Sequence, residues 1–154
     1  MELTILDISL RLGVAILLGC LVGLERTLAG KNAGMRTYAL AAMGSALFAI
    51  ISLLMGEKLV GTVAFNPVAL APAIISGIGF IGAGLVFHNE KKVSGLTSAA
   101  GLWVSAGIGM ATGFGYYLPA LVATVLTLAI FTIMWFLEKG IKGFSYNNDD
   151  EECK

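Results

Sequence analysis

The charged side chains that border the apolar segments are the first candidates for chemistry. Glu25 and Arg26 end one apolar run, and Arg36 and Thr37 open the next. Ionisable groups beside such runs are functional hypotheses by default, although anchoring helix ends at a membrane surface is their commonest role. The glycine-containing loop between the two runs would allow Glu25 to pair with Arg36. An ion pair and separate anchors both remain open.

A dense run of glycine lies inside the third apolar segment, which reads SGIGFIGAG over residues 76–84. The string contains GxGxxG, but a dinucleotide site needs a preceding strand and a following helix in a soluble βαβ unit. The candidate residues of this run are Ser76, Gly77, Gly79, Gly82 and Gly84. Each glycine costs a helix about 1 kcal/mol. We expect either a smooth helix face for packing or a locally unwound segment whose carbonyls, with Thr97 and Glu25, line a cation path.

Two more glycine pairs have the GxxxG spacing. Gly19 and Gly23 lie in the first apolar run, and Gly109 and Gly113 lie in the fourth. Small residues let helix backbones approach closely in lipid, so the pairs indicate close helix contacts. Packing within one chain and the interface of a homodimer are both open interpretations.

Catalytic or zinc-binding combinations of residues are not visible. His88 is the only histidine, and no second histidine or cysteine stands at ligand spacing. Paired carboxylates and Ser-His-Asp or Cys-His sets are also missing, so we expect no enzyme. We expect Cys20 and Cys153 to be free thiols, Trp103 to fill core space or line a cavity, and no cofactor apart from magnesium as a ligand or substrate, with Glu25 as the candidate metal ligand.

The composition predicts an integral membrane protein. Of the 154 residues, 57% are hydrophobic and only 13% are charged, and the mean hydropathy is +0.87. Soluble domains carry roughly a quarter charged residues. The basic residues occur singly or in pairs, which argues against nucleic-acid binding.

Five apolar runs have the length of membrane spans. A hydrocarbon core about 30 Å thick needs about 20 apolar residues per helix. The runs cover about residues 8–24, 37–55, 68–87, 96–113 and 116–137. Because backbone groups in lipid must pair internally, we predict an all-α polytopic membrane bundle of five transmembrane helices in residues 1–142. A disordered cytoplasmic tail over residues 143–154 should follow it.

Basic residues near the ends of the runs predict the orientation, because the cytoplasmic loops of membrane proteins are enriched in Lys and Arg. One side of a five-span chain holds Arg26, Lys31, Arg36, Lys91, Lys92, Lys139 and Lys142. The other side holds Arg11 and Lys58. We therefore expect the N-terminus outside and the C-terminus in the cytoplasm.

Four motifs in series resemble the MgtC/SapB family. They are GLER at 23–26, AGMRT at 33–37, the glycine run at 76–84 and GLTSAAGLW at 95–103. Together they span essentially the whole membrane part of the chain. One segment departs from the family, because residues 66–73 read NPVALAPA where members commonly carry Asp-Pro followed by Arg and Gln.

The resemblance implies a small, multi-pass protein of the bacterial inner membrane that acts in adaptation to low magnesium and, in pathogens, in virulence. It implies functional roles for Glu25, Arg26, Arg36, Thr37 and the segment from Gly95 to Trp103. We expect the protein to modulate another membrane component, with transport of magnesium or another cation as the alternative. We expect no regulatory domain of the kind that some members carry after the last helix.

Overall fold

The computed structural model describes residues 3–59, 66–89 and 92–149 of the chain, and these residues form a bundle of five α-helices. The helices are α1 (Ile5–Leu28), α2 (Met35–Leu59), α3 (Ala71–Gly84), α4 (Leu96–Gly113) and α5 (Tyr117–Asp149). The prediction of five helices is confirmed. Each predicted apolar run corresponds to one helix, since a chain that cannot pair its backbone with solvent pairs it internally.

Turn residues separate the helices where the sequence indicated breaks. Gly30, after α1, has a φ of 67°, and Gly115, between α4 and α5, has a φ of 86°. Both angles lie in the left-handed region that favours glycine. At the start of α1, Thr4 and Asp7 form a capping box in which each side chain bonds to the other residue's backbone N–H.

Helix α4 lies at the centre of the bundle and contacts each of the other four helices. Its buried face is built largely from small and hydroxyl residues, namely Ser98, Gly101, Ser105, Ala106, Gly109, Thr112 and Gly113. The outer helices α1, α2 and α5 are long and apolar enough to cross a membrane. Many of their large apolar side chains are exposed. This arrangement, small residues inside and large apolar residues outside, is that of a membrane protein.

The third predicted span, 68–87, differs from the structure at its C-terminal end. A 3-10 turn (Pro67–Leu70) leads into α3, which ends at Gly84. The helix α3 alone is about 21 Å long, which is less than the thickness of a hydrocarbon core. The following residues form an unpredicted antiparallel hairpin of β1 (Phe87–Asn89) and β2 (Lys92–Ser94), in which Phe87 is opposite Ser94. The hairpin forms because two short extended segments satisfy each other's backbone groups.

The last helix extends further than expected. The predicted span ended near residue 137, but α5 continues to Asp149. Residues 143–149, which we expected to be disordered, are therefore helical. Extending an existing helix adds one hydrogen bond for each residue that is ordered, so polar residues are readily added to its end. Residues 150–154, including Cys153, lie outside the described part of the chain.

Candidate functional site

The side chain of Arg26 lies inside the bundle, in the last turn of α1. Only 4% of Arg26 is exposed. Its Nε donates a hydrogen bond to Oε2 of Glu25, and its Cζ lies 3.7 Å from the centre of the Phe131 ring on α5. A buried charge is tolerated only when it is paired, and stacking on an aromatic ring adds a further attraction. Glu25 and Phe131 together stabilise the guanidinium in this position.

Tyr38 connects α2 to α4 beside this cation. Its side chain is fully buried, and its hydroxyl donates a 2.8 Å hydrogen bond to the carbonyl of Ser98. The backbone carbonyl of Tyr38 accepts a 3.1 Å hydrogen bond from the hydroxyl of Ser105. Both ends of this one residue therefore join the two helices, and such bonds lie where no water competes for them.

Gly101 provides the space in which these aromatic side chains meet α4. A Cβ at this position would lie 2.6 Å from Cζ of Phe131 and 2.8 Å from the Tyr38 hydroxyl. Any larger residue would therefore displace one of the two rings. We define the Arg26 site as Glu25, Arg26, Tyr38, Ser98, Gly101 and Phe131.

Thr27 holds the loop that follows α1 against the start of α2. Its hydroxyl donates a 3.0 Å hydrogen bond to the carbonyl of Gly23 and accepts a 3.1 Å bond from the backbone N–H of Met35, the first residue of α2. The first N–H groups of a helix have no partner within it, so Thr27 acts as a cap from another helix. A Cβ on Gly34 would overlap the Thr27 hydroxyl. The loop geometry therefore depends on this contact.

A cavity of about 280 Å³ opens beside the Arg26 site. Its walls come from the α1–α2 loop, the start of α4 and the middle of α5, and they include Arg26, Lys31, Thr97, Trp135 and Glu138. Cationic, anionic, hydroxyl and aromatic groups thus face one small space. Such a mixture suits a small polar ligand or a polar segment of another protein.

A second arginine lies at the opposite end of α4. Nη1 of Arg11 donates a 2.7 Å hydrogen bond to the carbonyl of Gly113, the last residue of α4. A cation interacts favourably with the free carbonyls at the C-terminus of a helix. Arg11 therefore ties α1 to the end of the central helix that is remote from Arg26.

Similarity to known proteins identifies the family of this bundle. Residues 12–139 match the model of the MgtC family. The chain belongs to the MgtC family. The prediction made from the four sequence motifs is confirmed.

Three MgtC-family relatives illustrate the similarity. The chain is 44% identical to protein MgtC of Salmonella typhimurium (strain LT2) over 119 residues, which cover 77% of this chain and 48% of that protein. It is 38% identical to Escherichia coli (strain K12) YhiD, named as a candidate magnesium transporter, over 82% of this chain and 60% of YhiD. It is 37% identical to protein SapB of Bacillus subtilis (strain 168), over 86% of this chain and 59% of SapB.

The chain spans about half to three fifths of the length of these three relatives. No solved structure matches it significantly.

The structure separates the residues that carry the MgtC-family motifs into two places. Arg26 and Thr97 line the same cavity, with Glu25 beside Arg26. Arg36 and Thr37 instead line a groove between α2 and α3. The hypothesis of a Glu25–Arg36 pair is therefore wrong, because Glu25 binds its neighbour Arg26. Thr27 holds Met35 against α1, and the next residue projects about 100° further around α2.

Two other predicted features are corrected. Trp103 does not fill the core, since 52% of it is exposed. It follows Leu102, which lies on the buried face of α4, and projects about 100° away from that face.

The glycine run is not unwound, because α3 is a continuous α-helix from Ala71 to Gly84. No three His, Cys, Asp or Glu side chains come together among the described residues, and Glu25 as a metal ligand stays a prediction.

The glycines of the third segment are mostly not packed against the chain either. A Cβ on Gly82 would contact Ala99 of α4 at 3.7 Å. At Gly77, Gly79 and Gly84, a Cβ would meet no atom of the described chain within 4 Å. Ser76 is also exposed. At three of its four glycines, the glycine run thus leaves open space beside α3.

The GxxxG glycines make their contacts inside the chain. A Cβ on Gly19 would lie 2.9 Å from Cβ of Ala42, and one on Gly23 would lie 2.6 Å from Cα of Met35, both on α2. Cβ atoms on Gly109 and Gly113 would overlap or crowd the carbonyls of Ala42 and Ala46, also on α2. These four positions bring α1, α2 and α4 into close contact, so none is free for a second chain.

Sequence reasoning missed Tyr38, Phe131, Thr27 and the contact of Arg11. Tyr38 had a usable signal, because a tyrosine inside an apolar run needs a partner for its hydroxyl. Arg11 had one too, as a charge inside the first apolar helix. Phe131 had none, since a phenylalanine is ordinary in an apolar helix.

Proposed function

We propose that this MgtC-family chain acts at the bacterial inner membrane in adaptation to low magnesium, by binding or modulating another membrane component. The family and the name of the relative YhiD support the connection to magnesium. The distribution of Lys and Arg supports a cytoplasmic C-terminus, and in this proposal the Arg26 site and its cavity face the cytoplasm.

The position of Arg26 carries the preference for modulation over transport. A divalent cation that entered the bundle beside α1 would meet a buried guanidinium, and an arginine at a constriction excludes cations. The carbonyls of α3, which a transport path would need, are those of a continuous helix. In contrast, the cavity beside Arg26 combines polar groups of both signs at one end of the bundle, which suits the recognition of another polar surface.

Transport of magnesium by the chain itself is the second candidate function. The name of YhiD favours it, because that relative is described as a candidate magnesium transporter. In that case, the chain alone should be sufficient for flux through a membrane.

Magnesium flux into liposomes that contain only this protein distinguishes the two functions. We expect no entry of magnesium above that of protein-free liposomes. Entry that Glu25→Ala abolishes would overturn the modulator function and establish transport.

Growth of bacteria at low magnesium is an independent test of the modulator function. Expression of the chain should improve growth of a strain that lacks its own MgtC-family protein. Arg26→Lys should remove the benefit, because an ammonium cannot keep the planar contact with Phe131 and the bond to Glu25 together. Lys58→Ala, an exposed change near the other end of α2, should keep it. A functional Arg26→Lys variant would exclude the Arg26 site from the function.

A further inference from the structure

The guanidinium of Arg26 keeps unused hydrogen-bond donors beside the cavity. A guanidinium carries five N–H donors, and among the described residues only Oε2 of Glu25 accepts one of them, from Nε. The terminal Nη atoms are not sealed off, in contrast to Nε of Arg11, which is buried without accessible surface and without a partner. Arg26 is 4% exposed and lines the cavity of about 280 Å³. Its terminal N–H groups therefore face a space that a ligand can enter.

The N-terminus of α4 opens into the same cavity. Thr97 and Ser98, in the first turn of this helix of 18 residues, line the cavity. The N-cap is Gly95, and a Cβ there would overlap the carbonyl of Leu85, so no capping side chain fits. The first N–H groups of a helix lack partners within it and give that end a partial positive charge. Like the guanidinium, this helix end favours an anion.

The other charged groups limit the charge of that anion. Lys31 of the α1–α2 loop and Glu138 of α5 both line the cavity, and both are exposed. Their charges cancel formally, and Glu25 already neutralises Arg26 through Nε. A single phosphate is attracted to the helix end and the terminal guanidinium groups, whereas a ligand with further negative charge is repelled by Glu138.

One wall of the cavity continues into the outer surface of α5. Ile130, Met134 and Trp135 line the cavity, and each is about half exposed. Because α5 is long and apolar enough to cross a membrane, lipid chains cover this surface. Tryptophan is enriched where the hydrocarbon meets the head groups. A free anion would leave the apolar wall uncovered, whereas a phospholipid covers it with an acyl chain and places its phosphate in the cavity.

We propose that the cavity binds the head group of a phospholipid that carries one phosphate and no further negative charge, as phosphatidylethanolamine does. The phosphate accepts hydrogen bonds from the Nη groups of Arg26 and from the first N–H groups of α4. An acyl chain lies along Ile130 and Met134. The ammonium of the ethanolamine lies towards Glu138.

This proposal rests on the proposed function, because it names a phospholipid as the membrane component that the Arg26 site binds. The two fail separately, since lipid binding is measured on the purified chain and the function is measured as growth at low magnesium. Growth benefit without lipid binding would overturn only the lipid proposal. Lipid binding without growth benefit would overturn only the proposed function.

Native mass spectrometry of the full chain in detergent, titrated with phosphatidylethanolamine, tests the binding. Diacylglycerol with the same acyl chains is the matched control, and it should bind about tenfold more weakly or worse because it lacks the phosphate. Equal binding of diacylglycerol would overturn the proposal. Displacement of the phospholipid by inorganic phosphate would also overturn it, by showing that a free anion occupies the site.

Thr97→Glu is the sharpest variant, because Thr97 is exposed in the first turn of α4 and lines the cavity. The new carboxylate takes the place of the phosphate, so the affinity for phosphatidylethanolamine should fall about tenfold or more. The melting temperature without lipid should rise, since an acidic residue stabilises a helix N-terminus, and this rise separates lost binding from unfolding. Unchanged affinity in Thr97→Glu would overturn the proposal.

Two control variants separate charge from bulk and from position. Thr97→Gln adds the same bulk without the charge and should weaken binding by at most about threefold. Lys58→Ala, near the other end of α2, should bind as the unchanged chain does. Equal losses in Thr97→Gln and Thr97→Glu would contradict an anion site.

Glu138→Gln tests the selection of the head group. The unchanged chain should bind phosphatidylethanolamine more tightly than phosphatidylglycerol, which has the same phosphate but no ammonium. Glu138→Gln should remove this preference, because the ammonium loses its carboxylate and the repulsion of net negative head groups disappears. Tighter binding of phosphatidylglycerol by the unchanged chain would overturn the proposed head group.

Discussion

Two contacts of helix α2 show opposite uses of small residues. On one side, α2 meets α1 and α4 in a tight seam, which we define as Gly19, Gly23, Gly109 and Gly113 with Ala42 and Ala46. A Cβ on any of these glycines would collide with α2. On the other side, α2 and α3 leave a groove in which Gly44 and Gly77 face open space. The same residue type therefore closes one contact and leaves the other available.

A glycine in a membrane helix therefore does not by itself indicate a helix contact. In the seam, the absence of a side chain lets two helix backbones of one chain come into contact. In the groove, the same absence creates room that the chain itself does not fill. A substitution that adds one methyl group should therefore lower the free energy of unfolding in the seam and raise it in the groove.

The largest effect is expected in the seam. Gly109→Ala should lower the free energy of unfolding by about 3 kcal/mol or more, because the new methyl overlaps the Ala42 carbonyl, and backbone atoms cannot rotate away. Thermal or denaturant unfolding of the detergent-solubilised protein measures this. Gly107→Ala, on the same helix but in open space, should not destabilise it. Equal stability of the two variants would mean that the seam is looser than described.

The Arg26 site should respond next. Arg26→Ala should lower the free energy of unfolding by about 2 kcal/mol, because Glu25 loses its counter-ion inside the bundle and Phe131 loses the stacked guanidinium. Arg36→Ala, at the exposed end of the groove, should cost less than about 0.5 kcal/mol. A cost for Arg36→Ala as large as that for Arg26→Ala would contradict the assignment of the two arginines to different environments. The same unfolding assay provides the measurement.

A smaller effect is expected from the cap between α1 and α2. Thr27→Val should cost about 1 kcal/mol, because the N–H of Met35 loses its acceptor. Hydrogen exchange at the start of α2 should rise together with the loss of stability. Thr132→Val is the control, because the Thr132 hydroxyl donates only to the Leu128 carbonyl within its own exposed helix face. Unchanged exchange at Met35 in Thr27→Val would show that another group caps α2.

The smallest effect has the opposite sign. Gly77→Ala should stabilise the monomer in detergent by about 0.5–1 kcal/mol, because alanine favours a helix and the new methyl meets no neighbour. Gly79→Ala should do the same. Destabilisation by Gly77→Ala under conditions in which the chain is monomeric would show that α3 lies closer to α2 than the groove indicates.

Much of the fold could be predicted because it follows from local sequence. The apolar runs gave the helices α1, α2 and α4 and the start of α5 within a few residues, and Gly30 and Gly115 lie in the predicted turns. The end of α3 and the hairpin after it could not be read, since Phe87 and Val93 continue an apolar pattern that suits a helix end or a strand equally well. The extension of α5 was missed because its polar residues can be added to a helix without being buried.

The candidate site was predictable in part. Glu25, Arg26 and Thr97 were identified from their charge, position and motifs, and the structure brings them to one end of the bundle. The partner of Glu25 was not predictable, because the choice between Arg26 and Arg36 depends on how the loop held by Thr27 directs α2. Phe131 lies more than 100 residues from Arg26 in the chain, and nothing local connects the two.

The sequence by itself determined that this chain is a membrane protein, that it forms five helices and that it belongs with MgtC-family proteins. These properties follow from hydropathy, from the need of the backbone to pair internally and from short motifs. Only the tertiary structure decided which glycines seal α1, α2 and α4 and which remain open on α3. Contact between helices depends on their relative rotation and distance, which spacing along one chain does not specify.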